Sequence, residues 1–205
     1  MNKNLSGKKV AILVTQGFEQ AELTGPKEAL EEAGAQADIV APVEEKGEKV
    51  QAWDETDWGK KFKADVPLNQ ARAQDYDALV LPGGVMNPDK LRANKNAVDF
   101  VRSFFEEEKP VAAICHGPWT LIEAGVVQGR KMTSWPSLQT DLRNAGAQWV
   151  DEEVVVDNGL VTSRKPADLP AFNRKMLEEI AEGRHPQQAH FARKDSRRVV
   201  QTRTE

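Results

Sequence analysis

The sequence has 205 residues, of which 40% are hydrophobic and 29% charged, as expected for one globular domain that buries a full core. The net charge of −4 gives no general attraction to nucleic acid or to an anionic membrane, and we expect neither as a partner. The apolar runs are strand-sized, no signal-like segment occurs at the N-terminus, and one cysteine cannot form an internal disulfide or a thiolate-rich zinc site. We therefore expect a cytoplasmic protein without a metal.

Strand-like and helix-like segments alternate along the chain. Nearly continuous apolar runs, typical of strands buried on both faces of a parallel sheet, occur at 8–14, 37–41, 77–81 and 111–114. Helical patterns occur at 22–33, 96–107, 118–124, 136–145 and 168–181. We expect a hairpin and loops within the irregular region 44–75, and a second hairpin at 153–163 around Asp157-Asn158-Gly159. This order predicts an α/β sandwich with a mostly parallel sheet between helices.

The pattern stops after residue 182. Residues 183–205 carry six arginines or lysines against two acids and few apolar residues. We therefore place a single domain at 1–182 and expect 183–205 to be a polar, partly disordered tail. An arm that binds a partner subunit or nucleic acid is the alternative interpretation.

Cys115, the only cysteine, follows a predicted strand and precedes His116-Gly117-Pro118 and a predicted helix. A tight strand-to-helix turn lifts a side chain out of the sheet, and the amides and dipole of the following helix favour a thiolate. The position therefore predicts a reactive cysteine with a lowered pKa. The alternative is an inert cysteine that acts as a small core residue.

Candidate partners of Cys115 fall at the same predicted sheet edge, where the carboxyl ends of parallel strands meet. His116 is the only histidine before the tail, although neighbouring side chains at such a turn can diverge, and local hydrogen bonding would also explain it. Glu19 would have to hold a proton to lie against a thiolate; otherwise it is an ordinary acid at a helix start. Gly83 and Gly84 would let backbone amides form an oxyanion site, or they simply make a turn.

Four stretches, VAILVTQGFEQAEL, YDALVLPGG, KPVAAICHGPW and TSRKPADLPAFNRKML, together resemble the ThiJ/PfpI family of the class I glutamine-amidotransferase-like superfamily across roughly residues 8–181. The resemblance implies a flavodoxin-like fold with Cys115 as nucleophile at a strained elbow. It further implies that Glu19 is protonated and hydrogen-bonded to the sulfur, and that the amides of Gly84 and His116 form the oxyanion site. In the PfpI-like branch His116 pairs with an acid from a neighbouring subunit, here Asp89, which implies a homodimer or a larger homo-oligomer.

The function implied by this resemblance is a Cys115-dependent hydrolase of the stress-response kind that needs no cofactor. It would be a glyoxalase or protein deglycase acting on small carbonyl compounds or glycated proteins and peptides, or an intracellular peptidase. The alternative is a redox-sensing stress protein whose Cys115 is oxidised to sulfenic or sulfinic acid without significant turnover. A glutamine amidotransferase is disfavoured because the late segment TSRKPADLP has no histidine, and a nucleotide enzyme because neither phosphate-binding glycine motif occurs.

Overall fold

A seven-stranded sheet organises the part of the chain that the computed structural model describes, residues 4–193. The strands are β1 Lys9–Leu13, β2 Gln36–Ala41, β3 Lys49–Asp54, β4 Asp57–Lys63, β5 Val66–Pro67, β6 Ala78–Leu81, β7 Val111–Ile114, β8 Lys131–Met132, β9 Gln148–Trp149, β10 Val154–Asp157 and β11 Leu160–Ser163. The α-helices are α1 Gln20–Glu32, α2 Met86–Arg92, α3 Lys95–Glu106, α4 Pro118–Glu123, α5 Gln139–Asn144, α6 Leu169–Glu182 and α7 Gln188–Arg193. Short 3₁₀ turns cover Leu68–Gln70, Ala73–Asp75, Pro136–Leu138 and Pro166–Asp168.

The strand order in this sheet is β10-β11-β7-β6-β1-β2-β5, and every neighbouring pair is parallel except β10 with β11. The central strands β1, β6 and β7 are buried almost throughout because helices cover both faces. Side chains of α1 and α6 pack on one face, and those of α2, α3, α4 and α5 on the other. The predicted α/β sandwich with a mostly parallel sheet is confirmed.

Both predicted hairpins are present. Strands β3 and β4 pair antiparallel, and β3 lies over the turn that follows β1, where Trp53 N donates to Phe18 O at 2.7 Å. Strands β10 and β11 are joined at Asn158 and Gly159, whose φ values of 48° and 83° suit a type I′ turn. The first hairpin matters for function because it forms one wall of the site described below.

Two helices before residue 183 differ from the sequence predictions. Helix α2 was not predicted because seven residues with Pro88 near the start give no clear apolar period, although proline is tolerated in a first helical turn. The segment predicted as a helix at 136–145 begins as a 3₁₀ turn, and α5 itself spans Gln139–Asn144. No helix among residues 4–193 is both long and apolar enough to cross a membrane.

The segment 183–193 packs on the domain, contrary to the expected polar tail. Gln188 is fully buried in α7; its side chain donates to Lys109 O and accepts from Arg130 Nη2 at 3.1 Å. The fully buried Arg130 guanidinium lies 4.1 Å from the centre of the Phe191 ring. These contacts are mainly polar, so the pattern of apolar residues in the sequence did not indicate that the segment packs on the domain. The rest of the predicted tail, 194–205, lies outside the described residues.

Candidate active site

Cys115 lies on a strained elbow directly after β7. Its φ is 60°, in the left-handed region that non-glycine residues rarely adopt. Two backbone hydrogen bonds hold it there: Cys115 N donates to Ser163 O at 3.1 Å, and Trp135 N donates to Cys115 O at 2.9 Å. Helix α4 then begins at Pro118. The predicted tight turn between strand and helix is present, and Cys115 is only 7% exposed; its role as a nucleophile stays a prediction.

His116 turns its ring back towards the sulfur of its neighbour. The Nδ1 atom lies 3.2 Å from Cys115 Sγ, so the two adjacent side chains converge. The ring stacks on Trp135, and its Nε2 atom lies 3.4 Å from Ser137 Oγ. Burial lowers the pKa of His116 to about 4, which leaves a neutral imidazole that can accept a proton at neutral pH.

The carboxyl group paired with the thiol belongs to Glu22, which corrects the predicted contact of Glu19. Glu22 lies in the first turn of α1 and is fully buried; its Oε2 atom accepts the Gly83 N–H at 2.7 Å, and its carboxyl group lies close enough to the Cys115 thiol to raise the pKa of that thiol. Burial raises the pKa of Glu22 to about 8, so the group holds a proton at neutral pH. Glu19 is instead the N-cap residue of α1 at the cavity wall.

The sequence contains a signal for Glu22 that the initial interpretation overlooked. Glu22 stands four positions before Pro26 within α1, and both residues are buried. Residues four apart share a helix face. Glu22, the acid on the buried face of the helix, is therefore a better candidate for the partner of Cys115 than Glu19, the acid at the helix start.

The two glycines of the Gly83-Gly84 loop have different roles. The Gly83 N–H is taken by Glu22, which corrects its predicted place in an oxyanion site. A Cβ atom on Gly83 would lie 2.6 Å from Cys115 Cβ and 2.8 Å from His116 N, so only glycine fits. The amides of Gly84 and His116 both act to lower the pKa of Cys115, which places the two other predicted donors near the sulfur.

Asn87 holds this loop in place, and no motif pointed to it. Its buried side chain accepts from Thr15 N at 2.7 Å and donates to Pro82 O at 2.9 Å and Gly83 O at 3.2 Å. It thereby links the carboxyl ends of β1 and β6. The sequence shows only that a polar residue follows Pro-Gly-Gly closely. The role of Asn87 depends on its contact with Thr15, 72 residues away in sequence, which no local motif indicates.

The pKa of Cys115 is raised, contrary to the predicted lowering. Burial of the thiol is the largest cause, and the Glu22 carboxylate adds to it; the amides of Gly84 and His116 act in the opposite direction. Helix α4 has only six residues, so its dipole is a weak counterweight. Because the charge of the Glu22 carboxylate opposes ionisation of the thiol, we expect the two groups to titrate as a coupled pair.

Asp89 lies in the first turn of α2, is exposed, and accepts from Arg92 at 2.8 Å. It does not line the cavity beside Cys115 in its own chain. Its predicted role requires a neighbouring subunit and stays a prediction, as does the homo-oligomer.

The cavity above the sulfur has a volume of about 300 Å³, which suits a small carbonyl compound or one modified side chain. Its apolar wall comes from Trp53, Val85, Trp135 and Pro166, and its acidic wall from Glu19, Glu22 and Glu55.

A separate group of possible metal ligands, Glu179, Glu182 and His185, has ligand atoms within 4.8 Å of one another. It lies beside the start of β7, at the sheet edge opposite Cys115, since His185 N donates to Glu108 O. Within this group the Oε2 atom of Glu179 and the Nε2 atom of His185 lie 3.4 Å apart, so these two side chains already contact each other.

Comparison with known proteins identifies the fold and the family. The DJ-1/PfpI family model matches residues 8–179. The chain is 44% identical over 172 residues to general stress protein 18 of Bacillus subtilis, covering 83% of this chain and 96% of that protein. It is 43% identical over 175 residues to protein/nucleic acid deglycase 2 of Escherichia coli, with the same two coverages.

A solved structure extends the likeness to the whole fold. The crystal structure of Drosophila melanogaster DJ-1beta superposes with a TM-score of 0.76 and 29% identity, covering 94% of this chain and 98% of that one. The predicted flavodoxin-like fold and the resemblance noted from the four motifs are both confirmed. The chain belongs to the DJ-1/PfpI family.

Proposed function

We propose that this protein is a cysteine-dependent hydrolase that acts on electrophilic carbonyl carbons, with small α-oxoaldehydes and the early carbonyl adducts of proteins as substrates. The observation that carries the proposal is the convergence on one sulfur of a carboxyl group protonated at neutral pH, a neutral imidazole and two backbone amides. Each supplies a function that thiol addition to a carbonyl requires.

The first step is addition of the sulfur to the carbonyl carbon. His116 Nδ1 takes the thiol proton, and the Glu22 carboxyl group stabilises the thiolate by donating a hydrogen bond to it. The C–S bond forms as the carbonyl π bond breaks, and the amides of Gly84 and His116 receive the resulting oxyanion. Return of the proton from His116 to that oxygen gives a neutral hemithioacetal on Cys115.

The remaining steps convert methylglyoxal and water into lactate without an external oxidant. His116 moves the proton from the carbon bonded to sulfur to the neighbouring ketone carbon, and the hydroxyl proton passes from the oxygen of the first carbon to the oxygen of the second; the first carbon is thereby oxidised and the second reduced. The product is a lactoyl thioester on Cys115. Water then cleaves the C–S bond, adding its oxygen to the acyl carbon and returning one proton to the thiol. No cofactor enters this sequence.

The names of two relatives support the wider role. One is a general stress protein and another a protein/nucleic acid deglycase. We accordingly propose a stress-response function in which the enzyme removes reactive carbonyls before their adducts on proteins mature. Peptidase action is less favoured, because the outer nitrogen of His116 faces Ser137 within its own chain, where a peptidase would place a carboxylate.

A redox-sensing role is the second candidate, and the same donors favour it. A sulfinate on Cys115 would meet the amides of Gly84 and His116 and the protonated Glu22 carboxyl group. Peroxide treatment followed by mass spectrometry tests this role. A stable Cys115 sulfinate, combined with absent carbonyl turnover, would select it over the enzyme.

The direct test of the enzyme is methylglyoxal consumption with lactate formation, for the wild type beside Cys115→Ala and Asp89→Asn. We expect turnover by the wild type and none above the buffer rate by Cys115→Ala. Loss of turnover in Asp89→Asn as well would favour the triad formed between subunits. Equal turnover by Cys115→Ala and the wild type would overturn the proposal.

A further inference from the structure

We propose that Glu179, Glu182 and His185 form a binding site for Zn²⁺, and that the bound ion holds the segment 183–193 against the end of α6. The site lies at the sheet edge opposite Cys115, so the inference is independent of the proposed reaction. It departs from the metal-free protein expected from the sequence, because the third ligand lies in the segment that the sequence pattern assigned to a tail.

The chain brings the three ligands together at the end of one helix. Glu179 and Glu182 are three positions apart in α6 and therefore share a helix face. Gly183, with a φ of 89°, ends the helix, and His185 folds back towards Glu179. The Glu179 Oε2 and His185 Nε2 atoms lie 3.4 Å apart. Two ligands on a tetrahedral Zn²⁺, with bonds of roughly 2.0–2.1 Å, are also about 3.4 Å apart.

Two buried groups of this cluster lack the partners that burial normally requires. The Glu179 side chain keeps only 10% of its surface exposed, and it forms no ion pair with a lysine or arginine in the described part of the chain. The His185 Nε2 atom is buried and has no hydrogen-bond partner there, so its 3.4 Å contact with Glu179 lacks hydrogen-bond geometry. Buried charges are normally paired or coordinate a metal, and a cation at this point would satisfy both groups.

His185 is fixed by its backbone and its surroundings. Its N–H donates to Glu108 O at 2.7 Å, and Gln188 N donates to His185 O at 2.9 Å. The imidazole packs against Gly159, where a Cβ atom would lie 2.6 Å from the ring atom Cδ2. Glu182, by contrast, is exposed, so its side chain can turn towards an ion that enters from solvent. Two ligands are therefore preorganised, and the third leaves a path for the metal.

The ligand types favour zinc over the hard cations. An imidazole nitrogen and carboxylate oxygens are common ligands of Zn²⁺, whereas Ca²⁺ and Mg²⁺ prefer oxygen ligands alone. Three protein ligands leave the fourth position to a water molecule. Because the glutamates belong to α6 and His185 to the segment that leads into α7, the ion would connect the two.

Equilibrium dialysis against Zn²⁺, followed by metal analysis, tests the site. Every protein is full-length, untagged and stripped with EDTA, and carries Cys115→Ala so that the thiol cannot bind zinc. We expect one Zn²⁺ per chain and an affinity at least about tenfold lower in Glu182→Gln and in His185→Gln, since even outer-shell changes cost about 10- to 100-fold. His190→Gln changes an exposed histidine of α7 outside the cluster; it is the matched control and should bind like the parent.

Hydrogen exchange of residues 188–193 tests whether the ion holds the segment. Undocking of the segment would break the bond from His185 to the metal. Free Zn²⁺ at a hundred times its Kd should therefore slow the amides that exchange by undocking about a hundredfold, and should have no such effect in His185→Gln.

Absence of bound zinc in the parent, or equal affinities in the parent and His185→Gln, would overturn the site. Zinc that binds without slowing exchange in α7 would overturn its proposed effect on the segment. Neither measurement involves carbonyl turnover, so these results leave the proposed function to its own test.

Discussion

Gly83 donates its backbone N–H to the Glu22 carboxyl group at 2.7 Å and thereby holds that group against the thiol of Cys115. The contact joins the first turn of α1 to the loop after β6, 61 residues apart in sequence. It explains why a carboxyl group can lie beside a reactive sulfur: Glu22 is buried, holds its proton at neutral pH, and can donate it to the thiolate.

Replacing Glu22 should separate its donor function from its charge. We expect Glu22→Gln to lower methylglyoxal turnover by about tenfold, because the glutamine amide still donates, and Glu22→Leu to lower it by about a hundredfold or more. Glu19→Gln is the matched control and should stay within about twofold of the wild type, since methylglyoxal is uncharged. Steady-state lactate formation measures all three. A larger loss in Glu19→Gln than in Glu22→Gln would return the role to Glu19.

The free energy of unfolding should fall with rising pH because of Glu22. Its pKa is 4.5 in the unfolded reference and about 8 in the folded protein. The folded state therefore binds more protons between these values, and stability present below pH 4.5 is lost as the pH rises through about 8. The loss is at most about 1.4 kcal/mol per pH unit. Urea unfolding of the wild type and Glu22→Gln measures this contribution as the difference between their slopes, because the lowered pKa of His116 makes stability rise with pH below about 6.5 in both proteins. Equal slopes in the two proteins would contradict the assignment.

Gly83→Ala should damage the site directly. The added Cβ would overlap Cys115 Cβ, Glu22 Oε2 and His116 N, all within 2.8 Å. We expect a loss of about 2 kcal/mol or more in stability and of nearly all turnover. Gly25→Ala in α1 is the control, because the atom nearest to its Cβ would be the end of the Leu169 side chain, at 3.3 Å. Thermal unfolding and lactate formation test both variants; a Gly83→Ala protein with wild-type turnover would refute the packing described here.

Ser137 should act as a positioning residue for His116. Its Oγ atom lies 3.4 Å from Nε2 and can accept the ring N–H, which leaves Nδ1 free to take the thiol proton. We expect Ser137→Ala to lower turnover about two- to tenfold, in keeping with one modest hydrogen bond. Ser137→Thr should restore it, which a purely steric role would not. Unchanged turnover in Ser137→Ala would show that stacking on Trp135 alone orients the ring.

The sequence predicts the fold well because its strands are continuous apolar runs and its hairpins carry clear turn residues. Val111–Ile114 and the turn at Asn158-Gly159 follow directly from such local patterns. The elbow at Cys115 was predictable for the same reason, since a strand, a glycine and a proline surround it.

What the sequence did not reveal depends on contacts between distant segments. The choice between Glu19 and Glu22 is decided by which one meets the amide of Gly83. The raised pKa of Cys115 results from burial by several elements at once, which no local motif encodes. The packing of Gln188 on Arg130 joins residues 58 apart through polar atoms, and apolar periodicity cannot report it.

The measurement that tests the central claim most directly is the rate of Cys115 alkylation by iodoacetamide as a function of pH, in the wild type and in Glu22→Gln. If the thiol and the carboxyl group titrate as a pair, the wild-type rate should rise up to about pH 8, where Glu22 ionises, and then level off before a second rise. Above that pH each new thiolate forms beside a carboxylate, which opposes it. Glu22→Gln should show one continuous rise to a single plateau. Identical profiles for the two proteins would contradict the pairing of Glu22 with Cys115.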